Sequence, residues 1–334
     1  MPLHASTHNT EESKKTDGSC NLPRLGISQC LLGDEVRYDG GHKRDRFLTQ
    51  VLGHFVEWVP ICPEVEAGLG TPREAMRLVG DPHNPRLLTI NRQIDHTSTL
   101  RQFCARRIRE IRGLGLDGYV FKKDSPSCGI RHVRVYRPGS QPTRTGVGLF
   151  AQAFHEAFPF IPIEDEGRLN DQDIRENFVQ RIFGHRRWRN LFQRRLTRGA
   201  IVQFHTQHKY MLLAHSRPHY HTLGRLVASA QSFSPTQLAT QYRMLFMEAL
   251  KVKATIRKHV NVLQHLVGHF KHQMTHAQKI EVQEVIAEYH QGFTPLIAPL
   301  TLINHYIREF KIDYLAEQVY IQSYPKRLIT HQTP

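Results

Sequence analysis

Apolar residues in this chain keep one rhythm as far as about residue 163 and another after it, and that change constrains the fold more than any single motif. In the first part, short runs of strand length, at 25–28, 58–62, 116–121, 133–136 and 160–163, alternate with helix-compatible segments. Strands separated by helices imply parallel neighbours joined by right-handed crossovers. Residues 24–163 are therefore expected to form an α/β domain with a mainly parallel sheet. The best helix covers 99–112, where Leu100, Phe103, Cys104, Ile108 and Ile111 share one face and Gly113 can terminate it. Residues 47–55 and 148–158 are further helix candidates. Residues 66–92, with glycine or proline at 68, 70, 72, 80, 82 and 85, read as loop.

Residues 164–173 are acidic and polar and read as a linker. From 174 to 334 the pattern is helical throughout, so the second domain is expected to be all-α. Ser234-Pro235 supplies an N-cap and a first-turn proline. Apolar residues then step by three and four from Leu238 to Phe270, longer than the ~25 residues a globular helix usually reaches, so one break is expected. Thr275 and Gln278 have the capping-box spacing for a helix that runs to Tyr289 and stops at Gly292. Residues 294–310 give another helix, and no internal repeat is visible.

At 334 residues and 40% apolar content the chain can bury two cores. No apolar run approaches the ~20 residues that span a bilayer. Residues 1–19 hold no hydrophobic segment of the secretory kind, and 1–23 read as a disordered tail. Five cysteines without an export signal imply reduced thiols and a cytoplasmic location, where metal binding or catalysis outranks disulfide formation. The net charge of +15 divides into +5 on residues 1–160 and +10 on 161–334. A polyanion, most simply nucleic acid, is the partner this implies.

Three of the cysteines close strand-like runs. Cys30 follows Ile27-Ser28-Gln29, Cys62 follows Val59-Pro60-Ile61, and Cys128 stands in Lys122-Lys123-Asp124-Ser125-Pro126-Ser127-Cys128-Gly129 after the strand at 116–121. In open α/β sheets ligands bind at the carboxyl ends of strands. Three thiolates there suit three corners of a 4Fe-4S cube and leave one iron without a protein ligand. The plain alternative is three ordinary buried thiols. Zinc is a third reading, although no histidine is close enough in sequence to complete a tetrahedral set.

Ser28-Gln29-Cys30-Leu31-Leu32-Gly33 with Val36-Arg37-Tyr38-Asp39-Gly40-Gly41, Cys62-Pro63-Glu64 with Gly68-Leu69-Gly70-Thr71-Pro72-Arg73, the Cys128 segment and Gly146-Val147-Gly148-Leu149-Phe150 together resemble the thiouracil desulfidase (TudS) family. The remainder, through His259-Val260-Asn261-Val262-Leu263-Gln264-His265-Leu266, resembles the YbgA-like helical domain, and chains carrying both resemble the tRNA 4-thiouridine desulfidases. The resemblance implies an enzyme in which Cys30, Cys62 and Cys128 hold a 4Fe-4S cluster with one iron not ligated by protein. Such an enzyme exchanges thiocarbonyl sulfur for water oxygen without net redox change. It also implies Glu64 as catalytic carboxylate and Ser125 as catalytic hydroxyl, with Glu66 as the runner-up carboxylate. The implied substrate is 4-thiouridine in tRNA; free thiouracil or thionucleosides are the alternative, and a non-catalytic, nucleic-acid-binding metal or oxidant sensor is a second one.

Each of these residues also has a structural reading. Glu64 could pair with Arg73 as a loop carboxylate, Ser125 could merely form the turn beside Pro126, and Arg37 and Asp39 either shape the pocket or are solvated. Residues 181–198 carry seven arginines and no acid. Arg186, Arg187, Arg189, Arg194, Arg195 and Arg198 are the expected tRNA phosphate contacts, with Trp188 and Phe192 either stacking on bases or packing inward. Lys251, Lys253, Arg257 and Lys258 lie off the apolar stripe and would extend that face. His265, His269, His272 and His276 are spaced for one helical face, as a metal site or as solvated histidines. Cys104 is expected in the core and Cys20 to be incidental.

Overall fold

The computed structural model of the protein describes residues 22–192, 196–325 and 328. The expected tail and Cys20 fall almost wholly outside them. Strands β1 (Arg24–Ser28), β2 (Glu57–Ile61), β3 (Met76–Asp81), β4 (Asn84–Thr89), β5 (Gly118–Phe121), β6 (Val133–Tyr136), β7 (Thr143–Gly146) and β8 (Ile163–Asp165) form two sheets. The first has the order β2-β1-β5-β8 and is parallel at every pairing, as the alternation predicts. Helices α1 (Pro63–Glu66), α2 (Thr97–Leu114) and α3 (Leu149–Ala157) belong to the same half.

Parallel strands must be covered on both faces, and all four residues of β5 are buried. On one face Leu100, Phe103, Ile108 and Ile111 of α2 and Phe150 and Phe154 of α3 form the core with Tyr119 and Phe121. On the other, Leu25 and Ile27 of β1 and Val120 of β5 meet Leu48, Leu52 and three residues of α4 (Gln172–Leu191), Phe178, Val179 and Ile182. The first helix after the strands thus closes the sheet before the helical half begins.

The second sheet, β4-β3-β6-β7, corrects the reading of 66–92 as loop. Gly80 and Pro85 face one another across the β3–β4 hairpin. Pro85 stands on an edge strand, where a missing N–H is tolerated, so punctuation that looked like loop is a hairpin. Helix α2 runs two residues past its expected end because Gly115, not Gly113, takes the left-handed conformation at φ 63°. The last strand is Ile163–Asp165, so Glu164 and Asp165 are buried strand residues.

The helical half comprises α5 (Arg198–His215), α6 (Arg217–Ala228), α7 (Pro235–Lys251), α8 (Ile256–Gly268), α9 (His276–Gln291), α10 (Ile297–Glu309) and α11 (Asp313–Ala316). The expected break in the long amphipathic stretch lies between α7 and α8. Capping boxes at Ser234 and Thr275 are both formed, and Gly292 ends α9 at φ 83°. Trp188 of α4 stacks on Tyr242 of α7 at the centre of this core, so its ring packs inward rather than waiting for a base.

Candidate active site

Cys30, Cys62 and Cys128 are all free, all buried, and all line one cavity of about 410 Å³ at the carboxyl ends of β1, β2 and β5. Cys30 sits in the single turn after β1, and Cys62 caps α1 where β2 ends. Cys128 is held most elaborately. Ser125 Oγ accepts hydrogen bonds from the backbone N–H of Ser127 (3.2 Å) and Cys128 (3.0 Å), and Gly129 N donates to Ser125 O at 2.8 Å. The amino end of α3 then clamps this loop: Phe150 N donates to Ser127 O at 2.9 Å and Gly148 N to Gly129 O at 2.7 Å. A Cβ at Gly148 would run into the Ser127 backbone, which explains why the Gly-Leu-Phe segment accompanies the Cys128 loop.

Burial dominates the thiols. It pushes Cys30 up to about 11 against the pull of Lys122, and raises Cys62 and Cys128, whose neighbours include the other two thiols. Three soft donors that resist ionisation in isolation and repel one another when ionised are the donor set a cationic cluster stabilises. Among the described residues, no three His, Cys, Asp or Glu side chains close around a single ion. All three thiols nevertheless line the one cavity.

Glu64 lines the cavity and Glu66 does not. Glu66 folds back to accept from Cys62 N at 3.0 Å and pairs with Arg107 at 3.2 Å, so it fixes the start of α1. Glu64 has both oxygens engaged: Ser127 Oγ donates to Oε1 at 2.6 Å, and Arg73 Nε and Nη2 donate to Oε2, the former at 2.8 Å. The pairing with Arg73 read from the sequence is present. Arg73 also reaches Val36 O at 3.1 Å, and Cys62 Sγ is 3.8 Å from the same carbonyl. One arginine therefore ties the carboxylate to the loop beside a ligand-type thiol. Ser127 went unnoticed although it lies inside the quoted motif. Glu166, read as linker, accepts from Lys122 Nζ at 2.5 Å and Lys123 N at 2.7 Å and steadies the start of the Cys128 loop. The signal was the acidic run Glu164-Asp165-Glu166 directly after a strand. Arg37 and Lys43 also line the cavity, and Arg37 pairs with Asp39 at 3.2 Å.

The arginine run does not form the expected exposed basic face. Arg186 is 9% exposed and lies 3.5 Å from Asp117; Arg189 makes two bonds to the same carboxylate, at 2.9 and 2.7 Å. Arg187 turns inward to His208 Nε2 at 3.0 Å and Ser323 O at 2.7 Å, and burial pulls its pKa down to about 9. Arg198 donates to Phe233 O at 2.6 Å. Arg194 and Arg195 lie outside the described residues. The absence of acids between 181 and 198 had suggested uncompensated charge, but the compensating Asp117 comes from the other half of the chain. Lys258 is likewise turned inward, to His215 O at 2.7 Å, and Lys253 pairs with Asp173 at 2.5 Å. The four histidines do not share a helix: α8 stops at Gly268, His269 meets the Tyr210 hydroxyl at 2.6 Å, and His276 begins α9.

Residues 25–166 match the family described as 2-thiouracil desulfurase, and residues 209–325 match DUF1722, a family of proteins of unknown function. Among curated proteins, YbgA of Escherichia coli (strain K12) is 32% identical over 159 residues, 47% of this chain and 94% of YbgA. YbbK of Bacillus subtilis (strain 168) is 27% identical over 151 residues, 43% of this chain and 97% of YbbK. A solved structure titled "[4Fe-4S]-dependent thiouracil desulfidase TudS" is 27% identical and covers 44% of this chain and 93% of its own, with a TM-score of 0.36. No helix of the described residues is long and apolar enough to cross a membrane. By these matches the chain belongs to the YbgA family and joins a domain of the 2-thiouracil desulfurase family to a YbgA-like domain of the DUF1722 type.

Proposed function

We propose that the protein is an iron-sulfur-dependent desulfidase that removes sulfur from 4-thiouridine in tRNA, replacing it with oxygen from water. Membership of the 2-thiouracil desulfurase family supports the desulfidase part. The single observation that carries the reading is the convergence of Cys30, Cys62, Cys128, Glu64 and Ser125 on one cavity. Cys30, Cys62 and Cys128 would hold a 4Fe-4S cluster with one iron free of protein ligands. When bound, the cluster supplies a thiophilic Lewis acid that weakens the carbon–sulfur bond.

The chain's own groups move the protons. The net change is thiocarbonyl plus water giving carbonyl plus hydrogen sulfide, so no electrons are exchanged. Glu64, fixed between Arg73 and Ser127, is the base that takes a proton from the attacking water. Ser125 Oγ accepts from two backbone N–H groups, which leaves its own O–H to donate into the cavity. Lys43 and Lys123 are exposed on the rim and meet the phosphates that flank a nucleotide extruded from folded RNA.

The test is sulfide release by anaerobically reconstituted enzyme from thiolated tRNA and from free thiouracil, side by side. Lys43→Glu with Lys123→Glu should lower turnover on tRNA at least tenfold and spare thiouracil. Equal loss on both substrates would remove the RNA assignment in favour of free thiolated bases. No sulfide from any substrate, with four irons per chain present, would favour a sensor instead.

A further inference from the structure

A second cavity, of about 1000 Å³, lies between α4 and the helical half and shares no lining residue with the cysteine site. It opens between the start of α4, the α7–α8 junction, the start of α10 and the segment around Tyr320. That volume is at the upper end of the range for small-molecule sites. Its walls are mixed: Met211 and Leu300 are apolar, while Tyr289 and Tyr320 add flat aromatic surface and phenol groups.

Its most informative group is the carboxyl of Glu176. This side chain lines the cavity, and burial raises its pKa. Its contacts are the Tyr324 hydroxyl, at 3.3 Å, and the Gln180 amide, at 3.2 Å. Among the described residues no lysine or arginine pairs with it. The contrast is with Asp173, one turn earlier on the same helix, which is exposed and meets Lys253 at 2.5 Å. His215 and His259 line the same cavity, but burial holds both down to about 4, so they bring no positive charge near neutral pH. A carboxylate has about four acceptor positions, and two donors leave room for a ligand's N–H groups. At the mouth stand Arg257 and Lys253, both exposed, with Asp173, the ion-pair partner of Lys253, also lining the cavity.

A ligand that satisfies both ends has a flat ring, adjacent N–H donors at its inner edge and an anion at its outer end. We propose that this cavity is a nucleotide site, in which Glu176 accepts hydrogen bonds from the amino edge of the base and Lys253 and Arg257 hold the phosphate. Guanine fits best, because its ring N–H and exocyclic amino group can address both oxygens of one carboxylate, whereas uracil has no amino group. The same chemistry is offered by a free nucleotide and by one nucleotide of an RNA strand.

The test is calorimetric titration of the full chain with GMP, UMP, guanosine and a single-stranded RNA tetramer containing one guanine. GMP should bind at least tenfold more tightly than UMP. Glu176→Gln should lose at least tenfold on GMP while sulfide release from thiouracil stays unchanged, and Lys253→Ala with Arg257→Ala should weaken GMP and leave guanosine alone. The tetramer binding more tightly than GMP assigns the site to RNA, and less tightly to a free nucleotide. Should Glu176→Gln fold poorly, thermal denaturation of the wild type decides: GMP should raise the midpoint and UMP should not. Absence of GMP binding, equal binding of GMP and UMP, or a Glu176→Gln variant that binds like the wild type would overturn the proposal.

Discussion

Strand β5 ends in two buried polar assemblies. At its amino end Asp117 is fully buried and receives Arg24 N at 3.2 Å, His185 at 3.2 Å, Arg186 at 3.5 Å and Arg189 at 2.9 and 2.7 Å. At its carboxyl end the Cys128 loop opens on a cavity where Lys122 and Arg37 act on Cys30, and Arg73 acts on Cys62 while it pairs with Glu64. The first assembly leaves no acceptor position for anything else, so it is an attachment point: Arg186 and Arg189, with the His185 ring, lock α4 onto the sheet. The second holds its carboxylate firmly, while its thiols have weaker donors: the Ser28 hydroxyl on Cys128 and the Val65 and Glu64 amides on Cys62. Saturation distinguishes a structural polar cluster from a reactive one more clearly than burial does, because both are buried.

Breaking the amino-end cluster should have the largest effect. Removing the acid leaves Arg186 and Arg189 facing an uncharged hole, and breaking one partner of a buried pair costs about 3–5 kcal/mol. Asp117→Ala should therefore lower unfolding free energy by about that amount in urea titration, while sulfide release per folded molecule stays within about twofold. A variant within about 1 kcal/mol of the wild type would mean that the cluster contributes little to docking α4.

The carboxyl end should respond in the opposite way. Glu64→Gln keeps the shape of the side chain and removes the proposed base, so turnover should fall roughly 10²–10⁴-fold, the usual contribution of a positioned acid or base. Stability should fall by about 1.5–3 kcal/mol, less than for Asp117→Ala, because Arg73 keeps an acceptor and loses only its counter-charge. A Glu64→Gln variant with wild-type turnover would reduce the carboxylate to a loop partner of Arg73.

Much of this contrast was legible in the sequence, though unevenly. The three cysteines could be placed because each closes a continuous apolar run, and runs buried on both faces mark parallel strands whose carboxyl ends converge. Orienting Glu64 against Glu66 was not possible, since that depends on which carboxylate the α1 turn folds back onto Cys62 N. The hairpin of β3 and β4 was missed because glycine and proline on an edge strand resemble loop punctuation. The arginines misled for a reason of distance. Asp117 lies 68 residues or more before its partners on α4, and no local pattern reports a counter-charge that far away.

The smallest effect separates the two halves by pH. In the helical core, burial pulls His205, His215 and His259 down to about 4 from an ordinary 6.5, and His208 well below it. Between these values the unfolded chain binds more protons than the folded one, so stability is complete above about 6.5 and falls as pH drops toward 4. Each histidine contributes a slope of up to about 1.4 kcal/mol per pH unit. Asp117 acts in a different window. Burial raises its pKa, but the hydrogen bonds from His185 and Arg189 outweigh this and hold it below the ordinary 3.8, so its contribution is present above that value and is lost only as pH falls further. Urea unfolding followed from pH 7.5 to 4 should show His259→Gln, which can keep a hydrogen bond to the Tyr320 hydroxyl, with a slope about 1 kcal/mol per pH unit shallower than the wild type. Asp117→Asn should leave that slope as it is. Parallel curves for His259→Gln and the wild type would place the acid sensitivity of the fold outside the buried histidines, and a flattened curve for Asp117→Asn would place it at the amino end of β5.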